Sequence, residues 1–190
     1  KYYGYYAAPV LGIPSLKTPS ISIINSSVNS LEINISKVNG ATGYYIYEII
    51  DGENVLITNT TSLKYIHNEL ELGSIHKYKV VAYRGKVLSN ESREIEYTVR
   101  PSKLSVKVTS PTFNSHKLYS ELQDISEEDD VKLYVYQSSS EAGEYTLIYD
   151  GSYIKENDKY ILSYTSDNLV LNKIYYYKVR IEINGVSSED

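Results

Sequence analysis

The chain has 190 residues, with 24 acidic against 19 basic side chains and a net charge of −5, and it holds 22 Tyr but no Cys, Met or Trp. The absence of Cys excludes a disulfide framework, a thiolate nucleophile and Cys-ligated zinc. The charges are mixed, with no dense basic patch, which argues against a nucleic-acid partner; no apolar run approaches the ~20 residues of a spanning helix, so no membrane insertion is expected.

Residues 1–16 stand apart as a Tyr-rich arm or linker. Tyr2, Tyr3, Tyr5 and Tyr6 form a candidate anchoring surface, because Tyr offers a large apolar face with little rotamer entropy to lose. With Lys1 where an initiator Met would stand, the chain reads as processed or cut. Strand A of a first domain is expected to begin at Ile21. Leu31, Ile33 and Ile35 alternate with Glu32 and Asn34 and predict strand B. A turn over Val38–Gly43 leads into strand C, where Tyr45 and Tyr47 share one face and Tyr44, Ile46 and Glu48 the other. Asp51-Gly52 marks a hairpin. Strands follow over 55–58, 63–66 and 75–83, and strand G is expected as one run over 87–99. A helix-like pattern touches only 120–130.

The second half repeats the first. Leu70/Leu169, Leu72/Leu171, Ile75/Ile174, Tyr78/Tyr177, Lys79/Lys178 and Val80/Val179 recur in register, and Val131–Gln137 takes the place of Gly40–Glu48. A repeat of this length implies two similar domains, placed at 17–101 and 102–190. Each is close to the ~100 residues of an immunoglobulin-like sandwich. The second domain is read as strands over 104–108, 132–137, 145–149, 160–164 and 174–183. Asn184-Gly185 then signals another hairpin close to Asp190. The second sandwich is therefore expected to be C-terminally incomplete, with the natural protein running on or a partner covering the edge. Ile33, Ile35, Val80 and Val179 are the expected core. Buried tyrosines need hydroxyl partners, so several are expected to hold their tips at the surface.

The stretch Val38-Asn39-Gly40-Ala41-Thr42-Gly43-Tyr44-Tyr45-Ile46-Tyr47, with the leucine-to-tyrosine spacing from Leu169 to Tyr175, resembles tandem fibronectin type III domains of secreted bacterial (low-GC Gram-positive) or phage surface proteins. The resemblance spans residues 17–190 and implies an all-β fold of two tandem immunoglobulin-like β-sandwiches. It implies a corner tyrosine at Tyr175. His76 stands at the matching place in the first copy, and Ile35 stands where the family usually buries Trp.

Catalytic chemistry is thin. His67, His76 and His116 have no triad or metal spacing, and neither a nucleophile elbow nor a phosphate loop occurs. The acidic run Glu127-Glu128-Asp129-Asp130 lacks the spacing of a calcium loop and reads as a solvated connection. Arg84-Gly85-Lys86 lacks the carboxylate of an adhesive tripeptide. No enzymatic activity, cofactor or metal is expected. Candidate binding residues are Tyr45 and Tyr176 together with the arm tyrosines. The expected function is a non-catalytic structural or adhesive module of an extracellular bacterial surface protein, spacing or presenting other domains. Its partners would be protein subunits or neighbouring domains, met through the arm and the open C-terminal edge, with cell-surface glycan as a further partner. Two alternatives are a structural protein of a phage virion and an accessory module of a secreted glycoside hydrolase or peptidase.

Overall fold

The computed structural model describes residues 15–189, and every regular element among them is a strand. The first repeat supplies β1 (Ile21–Ser27), β2 (Ser30–Ile35), β3 (Gly43–Ile50), β4 (Glu53–Thr60), β5 (Lys64–His67), β6 (Ile75–Arg84), β7 (Val87–Leu88) and β8 (Ile95–Thr98). The second supplies β9 (Lys107–Thr112), β10 (Ser115–Glu121), β11 (Val131–Ser138), β12 (Thr146–Gly151), β13 (Ile154–Glu156), β14 (Lys159–Ser166), β15 (Tyr176–Ile183) and β16 (Val186–Ser187). No helix forms over 120–130, where β10 ends and turns follow.

Strand order repeats with the sequence. In the first half β1-β2-β5 form one sheet, and β4-β3-β6-β7 the other, with β8 also pairing β6. In the second half the sheets are β13-β14-β10-β9 and β12-β11-β15-β16. The fold is two tandem immunoglobulin-like sandwiches, as the repeat predicts.

Binary patterning explains the strands. On β2, Leu31, Ile33 and Ile35 are buried while Glu32 and Asn34 stand half-exposed between them. On β3 and β6, Ile46 faces Val80 and Tyr44 faces Ala82 in antiparallel register, and all four are buried. The second core joins Leu118, Leu122 and Leu162 of one sheet region to Val131, Leu133, Val135, Ile181 and Ile183 of the other. Asn184 and Gly185 have φ of 50° and 82°, the two left-handed residues of a type I′ turn, which Gly185 adopts without a Cβ penalty.

Two features repeat that the sequence alone did not mark. A β-bulge interrupts β3–β4 between Ile46 and Tyr47, and another interrupts β11–β12 at the matching place, between Val135 and Tyr136. The turns Ser27-Val28-Asn29-Ser30 and Thr112-Phe113-Asn114-Ser115 also match. Their hydroxyls bond at 2.7 Å (Ser27–Ser30) and 2.6 Å (Thr112–Ser115). The Asn29 carbonyl accepts Leu70 N–H, and the Asn114 carbonyl accepts Leu169 N–H, both at 2.9 Å. The corner itself is present in the second sandwich, where Tyr175 Oη accepts the Val170 N–H at 3.0 Å. In the first, Ser74 replaces it, donating to the Glu71 carbonyl while sharing a 2.7 Å hydrogen bond with His76 Nε2.

Several expectations need correction. The run over 87–99 is split into β7 and β8, because Ser89 and Ser92 turn their hydroxyls onto β6, accepting the Ala82 and Val80 N–H at 2.9 and 3.0 Å. The first strand of the second sandwich begins at Lys107 rather than Leu104; Leu104 and Val106 pack on the core without joining the ladder. Ile33, Ile35 and Val80 are buried as expected, but Val179 is only half-buried. The cause lies beside it: β16 pairs β15 only at Glu182 and Ile183, and no counterpart of β8 lies along β15 among the described residues. Two tyrosines lie in the core among the described residues. Tyr78 is fully buried, and Tyr44 is buried with its hydroxyl accepting the Val38 N–H at 2.9 Å.

Replacing Ile35 with Ala removes a buried branched side chain and leaves a cavity. It should lower stability by ~2–5 kcal/mol, read as a fall in the urea midpoint at unchanged slope. Tyr175→Phe deletes one hydrogen bond and keeps the ring, so about 1 kcal/mol is expected in the same assay.

Candidate binding surface

The register of β3 and β6 sends alternate residues to the sheet face away from the core. Gly43 lies opposite Tyr83, Tyr45 opposite Val81, and Tyr47 opposite Lys79. Across the other edge of β3, Tyr45 lies opposite Asn59, Tyr47 opposite Leu56, and Ile49 opposite Asn54. Tyr45 and Tyr83 stack with ring centroids 4.5 Å apart and planes 29° from parallel. Tyr47 is tilted against Tyr45 at 6.4 Å. The Tyr83 ring lies over Gly43, where an added Cβ would come within 2.4 Å of its hydroxyl, so Gly43 permits the stack.

A polar cluster borders these rings. Glu91 accepts a hydrogen bond from Asn54 Nδ2 at 2.9 Å and pairs with Lys79 at 3.4 Å. Lys77 pairs with Glu96 at 3.1 Å and with Glu94 at 3.5 Å. Burial, with Tyr45 and Glu91 nearby, pushes the Tyr47 hydroxyl pKa above its ordinary value.

The matching face of the second sandwich is filled differently. Tyr134 lies opposite Arg180, Tyr136 opposite Lys178, and Ser138 opposite Tyr176. The Arg180 guanidinium sits 5.0 Å from the centroid of Tyr134 and 5.6 Å from that of Tyr136, and it donates to Tyr136 Oη at 2.9 Å. Its Nε is buried without a hydrogen-bond partner among the described residues, so contact with the ring faces replaces hydration there. Lys178 lies over the Tyr145 ring at 4.7 Å.

Of the residues singled out by sequence, Tyr45 belongs to the face of the first sandwich and Tyr176 to that of the second. Tyr2, Tyr3, Tyr5 and Tyr6 lie outside the described residues. Sequence reasoning missed Tyr83, Gly43, Asn54 and Glu91. Aligning Gly43 against Tyr83 across the strands that became β3 and β6 would have found the first two. The histidines serve local structure: His67 and His76 meet edge-on at 6.1 Å, and His116 Nδ1 bonds Tyr177 Oη at 3.0 Å. In the acidic run, Asp129 accepts the Ser126 N–H at 2.8 Å and Asn184 Nδ2 at 2.8 Å, which holds its pKa below the usual carboxylate value. Glu127 pairs with Lys155. Among the described residues, no group of three or more His, Asp or Glu is placed to hold a metal ion, and no helix is long and apolar enough to cross a membrane.

No family model matches the chain, and no curated protein matches it. Solved structures similar to it are fibronectin type III domains. One is the solution structure of the fibronectin type-III domain of human fibronectin type III domain containing protein 3, 21% identical, covering 47% of this chain and 91% of that one at a TM-score of 0.42. A two-domain fibronectin type-III segment from chicken tenascin is 15% identical and covers 90% of this chain and 94% of that one at 0.39. The chicken CNTN1 FN1–FN3 domains are 17% identical and cover 93% of this chain and 65% of that one at 0.43. At such TM-scores the architecture rests on the strand orders and registers above.

Tyr78 gives a test of the packing behind this face. Burial, then the charges of Glu48 and Tyr65, raise its pKa above the ordinary 10.0. The folded state therefore holds the phenol proton where the unfolded chain has begun to release it. That contribution is complete below about pH 10 and is lost as pH rises further. Urea midpoints measured from about pH 9 to about pH 11.5 should fall along this range, with a shallower fall in Tyr78→Phe.

Proposed function

We propose that this chain is a non-catalytic structural and adhesive tandem module of an extracellular bacterial surface protein, spacing or presenting other domains. The observation that carries the reading is the recurrence, in both sandwiches, of one sheet face: a Tyr-x-Tyr pair on the central strand opposite a conserved-register Lys, at Tyr45/Tyr47 with Lys79 and at Tyr134/Tyr136 with Lys178. What the chain repeats is a scaffold and a surface. The setting outside a bacterial cell comes from the sequence resemblance.

The placement of perturbed groups supports the non-catalytic part. The shifted tyrosines are raised by burial, and the shifted Lys and Glu side chains are held by surface ion pairs such as Lys159–Glu121 and Lys155–Glu127. These shifts carry the pKa values further from neutral pH, opposite to the tuning of a general acid or base. Buried serines are spent on backbone hydrogen bonds, as at Ser92 and Ser188.

The intact chain should show no turnover on a panel of glycoside, ester, peptide and phosphoester substrates at neutral pH. Turnover that disappears on changing His67, His76 or His116 to Ala would replace this reading with an enzymatic one.

A further inference from the structure

We propose that the outward face of β4, β3 and β6 in the first sandwich is a binding site for a neutral hexopyranose chain, and that the matching face of the second sandwich is closed to such a ligand by its own Arg180. The proposal deepens the adhesive part of the function above and rests on it.

The chemistry of the face selects the ligand class. A pyranose ring presents one C–H-rich, apolar side, which lies well on the electron-rich face of a phenol ring. Its rim carries hydroxyls that both donate and accept. The first sandwich offers both kinds of contact side by side. Tyr45, Tyr47 and Tyr83 are half-exposed and grouped on one side of the sheet. Next to Tyr47, two strands and a loop bring together an amide, a carboxylate and an ammonium: Asn54 on Glu91 at 2.9 Å and Lys79 on Glu91 at 3.4 Å. The exposed Asn59 amide stands opposite Tyr45. Amide, carboxylate and ammonium joined in this way hold donors and acceptors at fixed spacing, which suits adjacent hydroxyls.

Charge decides against other ligands. Glu91 pairs with Lys79, and Glu94 and Glu96 both pair with Lys77, so three carboxylates face two ammonium groups. The face therefore has no uncompensated cation to draw a phosphate, sulfate or uronate, and a neutral sugar keeps the existing pairs intact.

The second sandwich supplies the contrast. Val81 of the first corresponds to Arg180, each lying opposite the first tyrosine of its pair. Arg180 lies over both rings and bonds one hydroxyl. The ring faces that a sugar would use are occupied by a cation from the same chain. Lys178 is drawn to Tyr145, not to a carboxylate, so the amide–carboxylate–ammonium cluster is not formed.

Isothermal titration of the intact chain with cellohexaose, maltohexaose and mannohexaose tests this, with alginate as the anionic comparison. At least one neutral hexasaccharide should bind. Tyr47→Ala and Glu91→Gln should each weaken that binding about tenfold or more, and Tyr134→Ala should leave it unchanged. Val81→Arg, which copies the second sandwich, should abolish it. Gly43→Ala should weaken it while keeping the urea midpoint close to the parent, because its Cβ displaces the end of Tyr83 and leaves the core alone. Binding to none of the three sugars overturns the proposal. So do tighter binding of alginate than of any of them, and equal loss with Tyr134→Ala and Tyr47→Ala. These outcomes are separate from the function above, since the turnover panel reads bond cleavage and the titration reads binding alone.

Discussion

Ile46 lies opposite Val80, and Val135 lies opposite Val179. Those two cross-strand pairs govern the rest of each sandwich. Side chains alternate with a period of two, so once an aliphatic pair is turned inward the residues on either side must turn outward. Tyr45 and Tyr47 face away from the core because Ile46 cannot. A slip of one residue would bury Lys79 and expose Val80, and the cost of an unpaired buried ammonium forbids it. The bulge after Ile46, repeated after Val135, then adds a residue on the neighbouring strand and shifts the register beyond that point.

From this shared frame the two halves diverge in how they treat their aromatic residues. The first sandwich buries Tyr78 completely, which raises its pKa. The second leaves Tyr177 half-exposed, with its hydroxyl bonded to His116 and to Gln137, both at 3.0 Å. On the outer face the relation reverses: tyrosines stack on each other in the first sandwich and clasp an arginine in the second. One repeated frame thus carries a fully buried tyrosine beneath stacked outer rings, and a half-exposed one beneath rings that clasp an arginine.

Much of this was legible in the residues. Alternation over 31–35 and the recurring Tyr78 and Val80 placed the inner layer of the first sandwich, and Asn184-Gly185 placed a hairpin. The corner at Tyr175 was implied by the family resemblance. The faces of Tyr45 and Tyr47 were readable too, but not their company. That Tyr83 lies over Gly43, or that Glu91 reaches Asn54, depends on which residues meet across strands far apart in sequence, and no local pattern encodes it. The split of the last strand of the first sandwich was hidden for another reason. Ser89 and Ser92 substitute hydroxyls for ladder carbonyls, and a serine in a strand looks the same whether it points to solvent or to a backbone N–H.

The paired turns at Asn29 and Asn114 bear on how the chain reaches its native state. Each carbonyl receives a leucine N–H from well over thirty residues away, from Leu70 or Leu169. Closures over such distances are entropically slow, and they place folding in the range of milliseconds to seconds typical of sandwiches. Because both turns present the same acceptor and both leucines the same donor, each corner has two chemically equivalent docking points while the chain is still open. Exchange between them is the misassembly to which tandem repeats are prone. Divergence elsewhere, with His76 against Tyr175 and Val81 against Arg180, means that a swapped corner would bring along the wrong neighbours. The differences between the two halves therefore help each strand find its own sandwich.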